Sequence, residues 1–284
     1  MIRLSKSFLG DKEKAAVVQV IEDGYLGMGS YVGDFEKLLE DYFQRSVVCV
    51  STGTAALQLS LQAIDIEPGD EVLVPALTYV ASFQAISGAG AIPIACDVNE
   101  KTLFIDVEDA RNKITKRTKA IMPVYYGGGY GDVDGIAELA RVSDIRVIDD
   151  SAHAFGSKRN GSLIGSFGDI SCFSFDGIKN ITSGEGGCVV SDDPGVIQKV
   201  KDARLLGVEN DTDSRLSGKR LWEFNVTRQG WRCHMSNLMA GIGIAQFHKK
   251  DFMFERRMLL AKHYDCCLRD YGAIELLPNN YDEI

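Results

Sequence analysis

The sequence predicts a layered α/β fold built on a largely parallel β-sheet. Three observations carry that expectation. Seven short runs are apolar almost throughout instead of alternating, as strands covered on both faces should be. Stretches with helical periodicity separate several of these runs, the pattern of strand–helix–strand units. The chain, at 284 residues, is long enough to bury one large core with a smaller appendage.

Taken in order, residues 12–23 open the chain as a helix, with Ala15, Val18, Val20 and Ile21 on one face. A second helix is expected over 31–43, followed by a strand at 47–50 and a helix at 55–64. Strands at 71–74 and 92–96 enclose a helix at 82–89. No charged residue occurs over 72–96, yet Pro75, Pro93, Gly88 and Gly90 and several hydroxyls interrupt it, so a buried strand–helix–strand passage fits better than a membrane span. Helices at 107–114 and 135–142 alternate with strands at 120–124 and 146–148. Two further strands are expected at 170–175 and 188–191. From His234 the character turns helical, with an apolar stretch at 238–247 and a charged one reaching Tyr271. Two domains follow from this reading: 1–233 as a ligand-binding large domain and 234–284 as the start of a small domain that stops early.

Composition narrows the function. Apolar residues make up 45% and charged residues 25%, ordinary for a soluble globular protein. A formal net charge of −9, with no basic cluster, argues against nucleic acid as a partner. The seven cysteines are scattered, with no CxxC or metal-type spacing, so no metal is expected and reduced thiols in a cytoplasmic protein are the default. Met1-Ile-Arg-Leu-Ser-Lys-Ser lacks the apolar centre of a signal peptide.

The chemistry-bearing residues lie where strand-like runs end. Lys179 stands between the run closing at Ser174-Phe175 and the cluster Gly184-Glu-Gly-Gly187. Asp149-Asp150 closes another run, with His153 three residues on. A lysine and a carboxylate at the ends of two core strands suit pyridoxal phosphate: the amine forms a Schiff base with an aldehyde, and the acid keeps the pyridine nitrogen protonated. Alone, each has a plainer explanation. Lys179 can be a surface lysine, the paired acids a turn cap, and His153 a satisfied histidine. Two adjacent acids point different ways, so only one need enter a site. Ser51-Thr-Gly-Thr-Ala-Ala-Leu57 can hold a phosphate at a helix N-terminus or simply cap the helix. Tyr79, in Pro75-Ala-Leu-Thr-Tyr-Val80, can stack on a cofactor ring or be one more core aromatic. The run Tyr126-Gly-Gly-Gly-Tyr-Gly131 has no dinucleotide fingerprint and reads as a loop near a site.

In combination these segments are specific. STGTAAL, PALTYVAS, IDDSAHAFGS, CFSFDGIKNITSGEGG and GWRCHMSNLMAGIGIAQF, in this order, resemble the DegT/DnrJ/EryC1/StrS family of sugar-nucleotide aminotransferases, from the Gly24-Tyr-Leu-Gly-Met-Gly29 segment onward. The resemblance implies an aspartate-aminotransferase-like large domain with a seven-stranded, mostly parallel sheet, and a homodimer with shared active sites. It implies Lys179 as the Schiff-base lysine, Asp150 at the pyridine nitrogen, His153 by the phenolic oxygen and Tyr79 over the ring. Gly53, Thr54 and Ser174 would hold the phosphate, and Tyr25, Leu26, Gly27 and Met28 would border the sugar-nucleotide pocket. Arg232 stands where many members carry asparagine, in the loop that reaches the partner subunit's phosphate; its fork of donors suits that task.

The implied reaction moves an amino group from an amino acid, glutamate in most relatives, to a keto-sugar nucleotide. A 4-keto-6-deoxyhexose is favoured, for a surface glycan or an antibiotic sugar. Two rivals remain at this point. A sugar dehydratase relative would replace the lysine by histidine, and this chain keeps Lys179. A catalytically silent homologue with a binding role is suggested by the early stop of the small domain.

Overall fold

The computed structural model describes residues 5–219, 223–278, 280, 281 and 283. The outer limits of the two expected domains, Met1 and Ile284, lie outside the described residues. Helices α1 (Asp11–Glu22) and α2 (Ser30–Phe43) come first. Strands and helices then alternate: β1 (Ser46–Val50), α3 (Gly53–Ala63), β2 (Glu71–Pro75), α4 (Val80–Gly88), β3 (Ile92–Cys96), α5 (Val107–Lys113), β4 (Thr118–Ile121), α6 (Val133–Ser143) and β5 (Arg146–Asp150). A short hairpin, β6 (Lys158–Arg159) and β7 (Ser162–Leu163), leads into β8 (Ile170–Ser174) and β9 (Gly187–Ser191). Helices α7 (Pro194–Ala203), α8 (Asp211–Leu216), α9 (Asn237–Phe247) and α10 (Lys250–Leu268) follow.

All seven expected strands join one sheet, in the order β1-β9-β8-β5-β4-β2-β3. Neighbours from β8 to β3 are parallel, while β9 runs antiparallel to both β1 and β8. The chain reaches β9 from β8 through a loop without a helix, and a parallel return needs a crossover. The strands are apolar throughout because each face of the sheet has its own core. Val47, Cys49, Leu73, Ile121 and Phe173 pack on one side with Phe35, Leu39 and Phe43 of α2. Val48, Val50, Val72, Val74, Ile148 and Ile170 pack on the other with α3 and α7.

The turn to helix at residue 234 is not a change of core. Gly241 of α9 faces Val20 of α1, and Gly243 faces the Phe35 ring so closely that a Cβ there would lie 2.7 Å from Phe35 Cε1. Met235, Ala240, Phe247 and Met253 share a buried cluster with Phe35 and Phe173, so the expected boundary at 233/234 falls inside one packed unit. Among the described residues no helix is long and apolar enough to cross a membrane; residues 72–96 form β2, α4 and β3.

The topology gathers the motifs. Gly187, the first residue of β9, pairs with both Val50 and Ser174, the last residues of β1 and β8. Asp150, the last residue of β5, pairs with Cys172 of β8. The carboxyl ends of β1, β5 and β8 therefore share one edge, where α/β sheets place their ligands.

Candidate active site

Asp150 is nearly buried, with 6% of its surface exposed. Its Oδ2 accepts a hydrogen bond from Ser82 Oγ at 2.7 Å and its Oδ1 one from the Ala152 N–H at 3.2 Å. Asp149 faces the other way. It borders a small cavity with Phe104, Ile136, Val147 and Phe167, and burial pushes its carboxyl up to about 7 against a single hydrogen bond from Ser171 Oγ. Of the two adjacent acids, one serves each face of β5.

Lys179 sits on a turn after β8, its N–H donating to the Asp176 carbonyl at 3.1 Å. Burial lowers the proton affinity of its amine, and the nearby carboxylates of Asp150 and Asp176 offset only part of that. His153 is also held low, by burial and then by the charge of Lys179. The Gly127 N–H donates to its Nδ1 at 3.2 Å. A neutral imidazole that accepts at Nδ1 carries its proton on Nε2, so His153 has a donor to offer. Gly127 belongs to the glycine run expected to be a loop, which curls into a single tight turn beside the histidine. Asn180 Nδ2 ties the lysine loop to this segment by donating to the Phe155 carbonyl at 2.7 Å.

The start of α3 lies against the end of β8. A Cβ on Gly53 would stand 2.7 Å from Ser174 Cβ, so only glycine lets the two approach this closely. Thr52 caps the helix by accepting from the Ala55 N–H at 3.0 Å. That leaves the Gly53 and Thr54 N–H groups, at the positive end of the helix, as first-turn donors beside Ser174 Oγ. Tyr79 is 71% exposed at the N-terminus of α4, not a core aromatic. Arg232 is exposed, bridged to Leu205. The carbonyl of the following Cys233 accepts the Ser51 N–H at 2.7 Å, so this segment runs beside the α3 turn.

The segment Tyr25–Met28 divides. Tyr25, Leu26 and Gly27 are exposed, whereas Met28 is fully buried in the core with Val32 and Phe35. Met28 is therefore a correction: it anchors the segment from beneath and presents no surface to a ligand. What holds the segment is Asn237, whose Oδ1 accepts from the Gly29 N–H at 3.0 Å and whose Nδ2 donates to the Tyr25 carbonyl at 2.9 Å. Asn237 and Ser82 escaped the sequence reading. Each stands at or near the start of a helix that carries other polar residues, so nothing local marks it.

Comparison with known proteins follows from this geometry. A family model described as the DegT/DnrJ/EryC1/StrS aminotransferase family matches residues 8–283. The chain belongs to that family. It is 34% identical to the dTDP-4-dehydro-2,3,6-trideoxy-D-glucose 4-aminotransferase of Saccharopolyspora spinosa, over 98% of this chain and 74% of that one. It is 36% identical to the GDP-perosamine synthase of Vibrio cholerae, over 93% of this chain and 70% of the other. Among solved structures, the aminotransferase TlmJ from Streptoalloteichus hindustanus superposes with a TM-score of 0.89 at 33% identity, covering 98% of this chain and 74% of that one. Family members solved in PLP and PMP forms include a chain from Streptococcus pneumoniae with TM-scores of 0.87. The protein is thus a pyridoxal phosphate-dependent aminotransferase.

The residues present fit that cofactor. Asp150 is a buried acceptor of the kind a ring nitrogen needs, and Lys179 an amine of lowered proton affinity of the kind an aldehyde needs. A phosphate needs N–H donors at a helix start, and the missing Cβ of Gly53 brings them against Ser174.

Proposed function

We propose that this protein moves an amino group from an amino-acid donor, glutamate, to a keto-sugar nucleotide of the 4-keto-6-deoxyhexose type, for a surface glycan or an antibiotic sugar. The observation that carries the reading is one pairing at the carboxyl edge. A half-buried Lys179 amine with lowered proton affinity shares the electrostatic field of a buried, doubly hydrogen-bonded Asp150 carboxylate. The relative from Saccharopolyspora spinosa, named for amination at C4 of a 4-dehydro sugar, supports the substrate class.

When bound, pyridoxal phosphate supplies an electrophilic aldehyde carbon and a protonated ring that withdraws electrons from the bond being broken. The residues of this chain do the rest. Asp150 accepts the ring N–H and so keeps that charge in place. Lys179 Nζ would hold the aldehyde carbon at rest. As a free, neutral amine it would take the proton from the donor's α-carbon and, in the second half-reaction, deliver a proton to the sugar carbon that receives nitrogen. Burial favours the neutral amine this step requires. His153 would donate its Nε2–H to the phenolic oxygen, and the Tyr79 ring would cover the cofactor face. Gly53 and Thr54 N–H groups with Ser174 Oγ would hold the phosphate, joined in a homodimer by Arg232 of the partner subunit. Tyr25, Leu26 and Gly27 edge the sugar pocket.

The test is direct. The purified protein loaded with pyridoxal phosphate should show a visible band bleached by borohydride, with the reduced adduct on Lys179 by mass spectrometry. Incubated with glutamate and a panel of keto-sugar nucleotides, it should aminate a 4-keto sugar. An adduct on any other lysine, or no amination across the panel, overturns the reading.

A further inference from the structure

Beneath Asp150 lies a pair of hydroxyls that no role described above uses. Ser82 is fully buried on α4, and its Oγ lies 2.7 Å from Asp150 Oδ2 and 2.7 Å from Thr78 Oγ1. A carboxylate only accepts hydrogen bonds, and a serine hydroxyl has one proton to give. Ser82 therefore spends its proton on Asp150 and is left to accept from Thr78 Oγ1, which also lies 3.3 Å from the Tyr79 carbonyl. The shorter of the two Thr78 contacts completes a chain of donors from Thr78 Oγ1 to Ser82 Oγ to Asp150 Oδ2. Its middle member is tied to the start of the helix, because the Tyr79 carbonyl accepts the Ser82 N–H at 3.2 Å. The residue that offers its ring for stacking, Tyr79, and the residue that orients the acid, Ser82, stand one helical turn apart on the same element.

The cost of putting a hydroxyl here points the same way. On Val80–Gly88 the polar residues Gln84 and Ser87 are exposed, whereas Ser82 lies on the buried face with Ala85 and Ile86. A buried serine in such a helix must find a partner or lose stability, and alanine would fill the position at no polar cost. The hydroxyl is explained only by what it touches. Asp150 Oδ1 is turned by the Ala152 N–H, so Ser82 supplies the second of two donors that fix both oxygens. With a donor on each oxygen, rotation of the carboxylate plane is restrained.

We propose that Ser82 is a positioning residue for Asp150, with Thr78 behind it, and that this hydroxyl pair holds the carboxylate in the orientation that meets the cofactor's ring nitrogen. The proposal rests on the reading of Asp150 given above, and the experiment separates the two. Ser82→Ala, Ser82→Thr, Ser82→Val and Asp150→Asn are loaded with ¹⁵N-labelled pyridoxal phosphate. The ring ¹⁵N chemical shift and the cofactor dissociation constant are then measured for each. Threonine and valine have the same shape and differ in the hydroxyl, so their contrast isolates the hydrogen bond even if the alanine variant folds poorly. Ser82→Val should move the ring ¹⁵N signal toward the unprotonated pyridine and raise the cofactor dissociation constant. Ser82→Thr should restore both. If Asp150→Asn moves the ring signal while Ser82→Val leaves signal and affinity at wild-type values, the positioning role is refuted and the role of Asp150 stands. If Asp150→Asn itself leaves the ring signal unmoved, the reading of Asp150 fails and the proposal falls with it.

Discussion

The two edges of the central sheet carry charge in opposite ways. At the amino edge, charges are paired. Arg45, just before β1, donates its Nε to Asp192 at 2.8 Å and its terminal nitrogens to the carbonyls of Gly165, Phe167, Gly168 and Asp169. Arg146, opening β5, is bound by Asp169 and Asp193, and Glu71, opening β2, by Arg117 and by Thr115 Oγ1. At the carboxyl edge, among the described residues, neither Lys179 nor Asp150 forms an ion pair, although both are at least half-buried. Leaving charges desolvated and unpaired is costly, and proteins keep such groups where chemistry needs them. One edge of the sheet pairs its charges; the other leaves unpaired the two groups proposed to react.

The sharpest way to break this contrast is Lys179→Ala. It should reduce transamination by at least about 10⁴-fold while far-UV circular dichroism and the melting temperature stay at wild-type values, because the amine removed had no ion pair to leave behind. Turnover near the wild-type rate would remove Lys179 from the role proposed for it. Asp150→Asn comes next. It keeps shape and the Ser82 contact, so cofactor should still bind, while single-turnover proton transfer slows by about 10²- to 10⁴-fold.

The third test uses pH and the other face of β5. Asp149 has a folded-state pKa of about 7 against an ordinary 3.8, so the folded protein holds this proton more tightly than the unfolded chain does. Its contribution is fully present below about pH 4 and is lost as pH rises toward 7, by up to about 4 kcal/mol at 1.36 kcal/mol per unit. Asp149→Asn, which cannot ionise, should lose this slope. In urea titrations at pH 5 and pH 8 the variant should gain on the wild type at the higher pH; a constant difference would show that Asp149 is ionised in the folded state.

How much of this was legible in the sequence depends on what each residue touches. All seven sheet strands show as apolar runs, since burial on both faces leaves little room for polar residues. The direction of β9 does not show, because an apolar run looks the same whichever way it lies. Helix α7 announces itself only at its start, where Asp193 caps and Pro194 takes the first turn. Lys179, Asp150 and His153 stand out because strand ends are where function collects. Ser82 and Asn237 do not, because their importance lies in partners 68 and 208 residues away. Met28 entered the pocket expectation only with its segment, through the family resemblance, and its own side chain faces inward.

Arg45→Ala probes the amino edge. The side chain is almost wholly buried while its partner Asp192 is largely exposed, so the loss falls mainly on the Gly165, Phe167 and Gly168 carbonyls, while Asp169 keeps its bond from Ser191 Oγ. We expect about 3 kcal/mol of destabilisation in urea unfolding, with turnover unchanged at temperatures well below melting. A matching fall in turnover would mean that the two edges are coupled through β8.

Thr52→Ala is the smallest change and separates shape from chemistry at the carboxyl edge itself. Thr52 Oγ1 accepts the Ala55 N–H and so begins α3, one residue before the Gly53 N–H proposed to face the phosphate. Removing the cap should cost about 1 kcal/mol whether or not cofactor is present, and Thr52→Ser should recover it. If the cap serves only the helix, cofactor affinity in the alanine variant should change less than twofold, because Gly53 is held by its contact with Ser174 and not by Thr52. A larger loss of affinity at unchanged stability of the cofactor-free protein would place Thr52 among the groups that shape the phosphate turn, and the reactive edge would then begin one residue earlier than the geometry assigns.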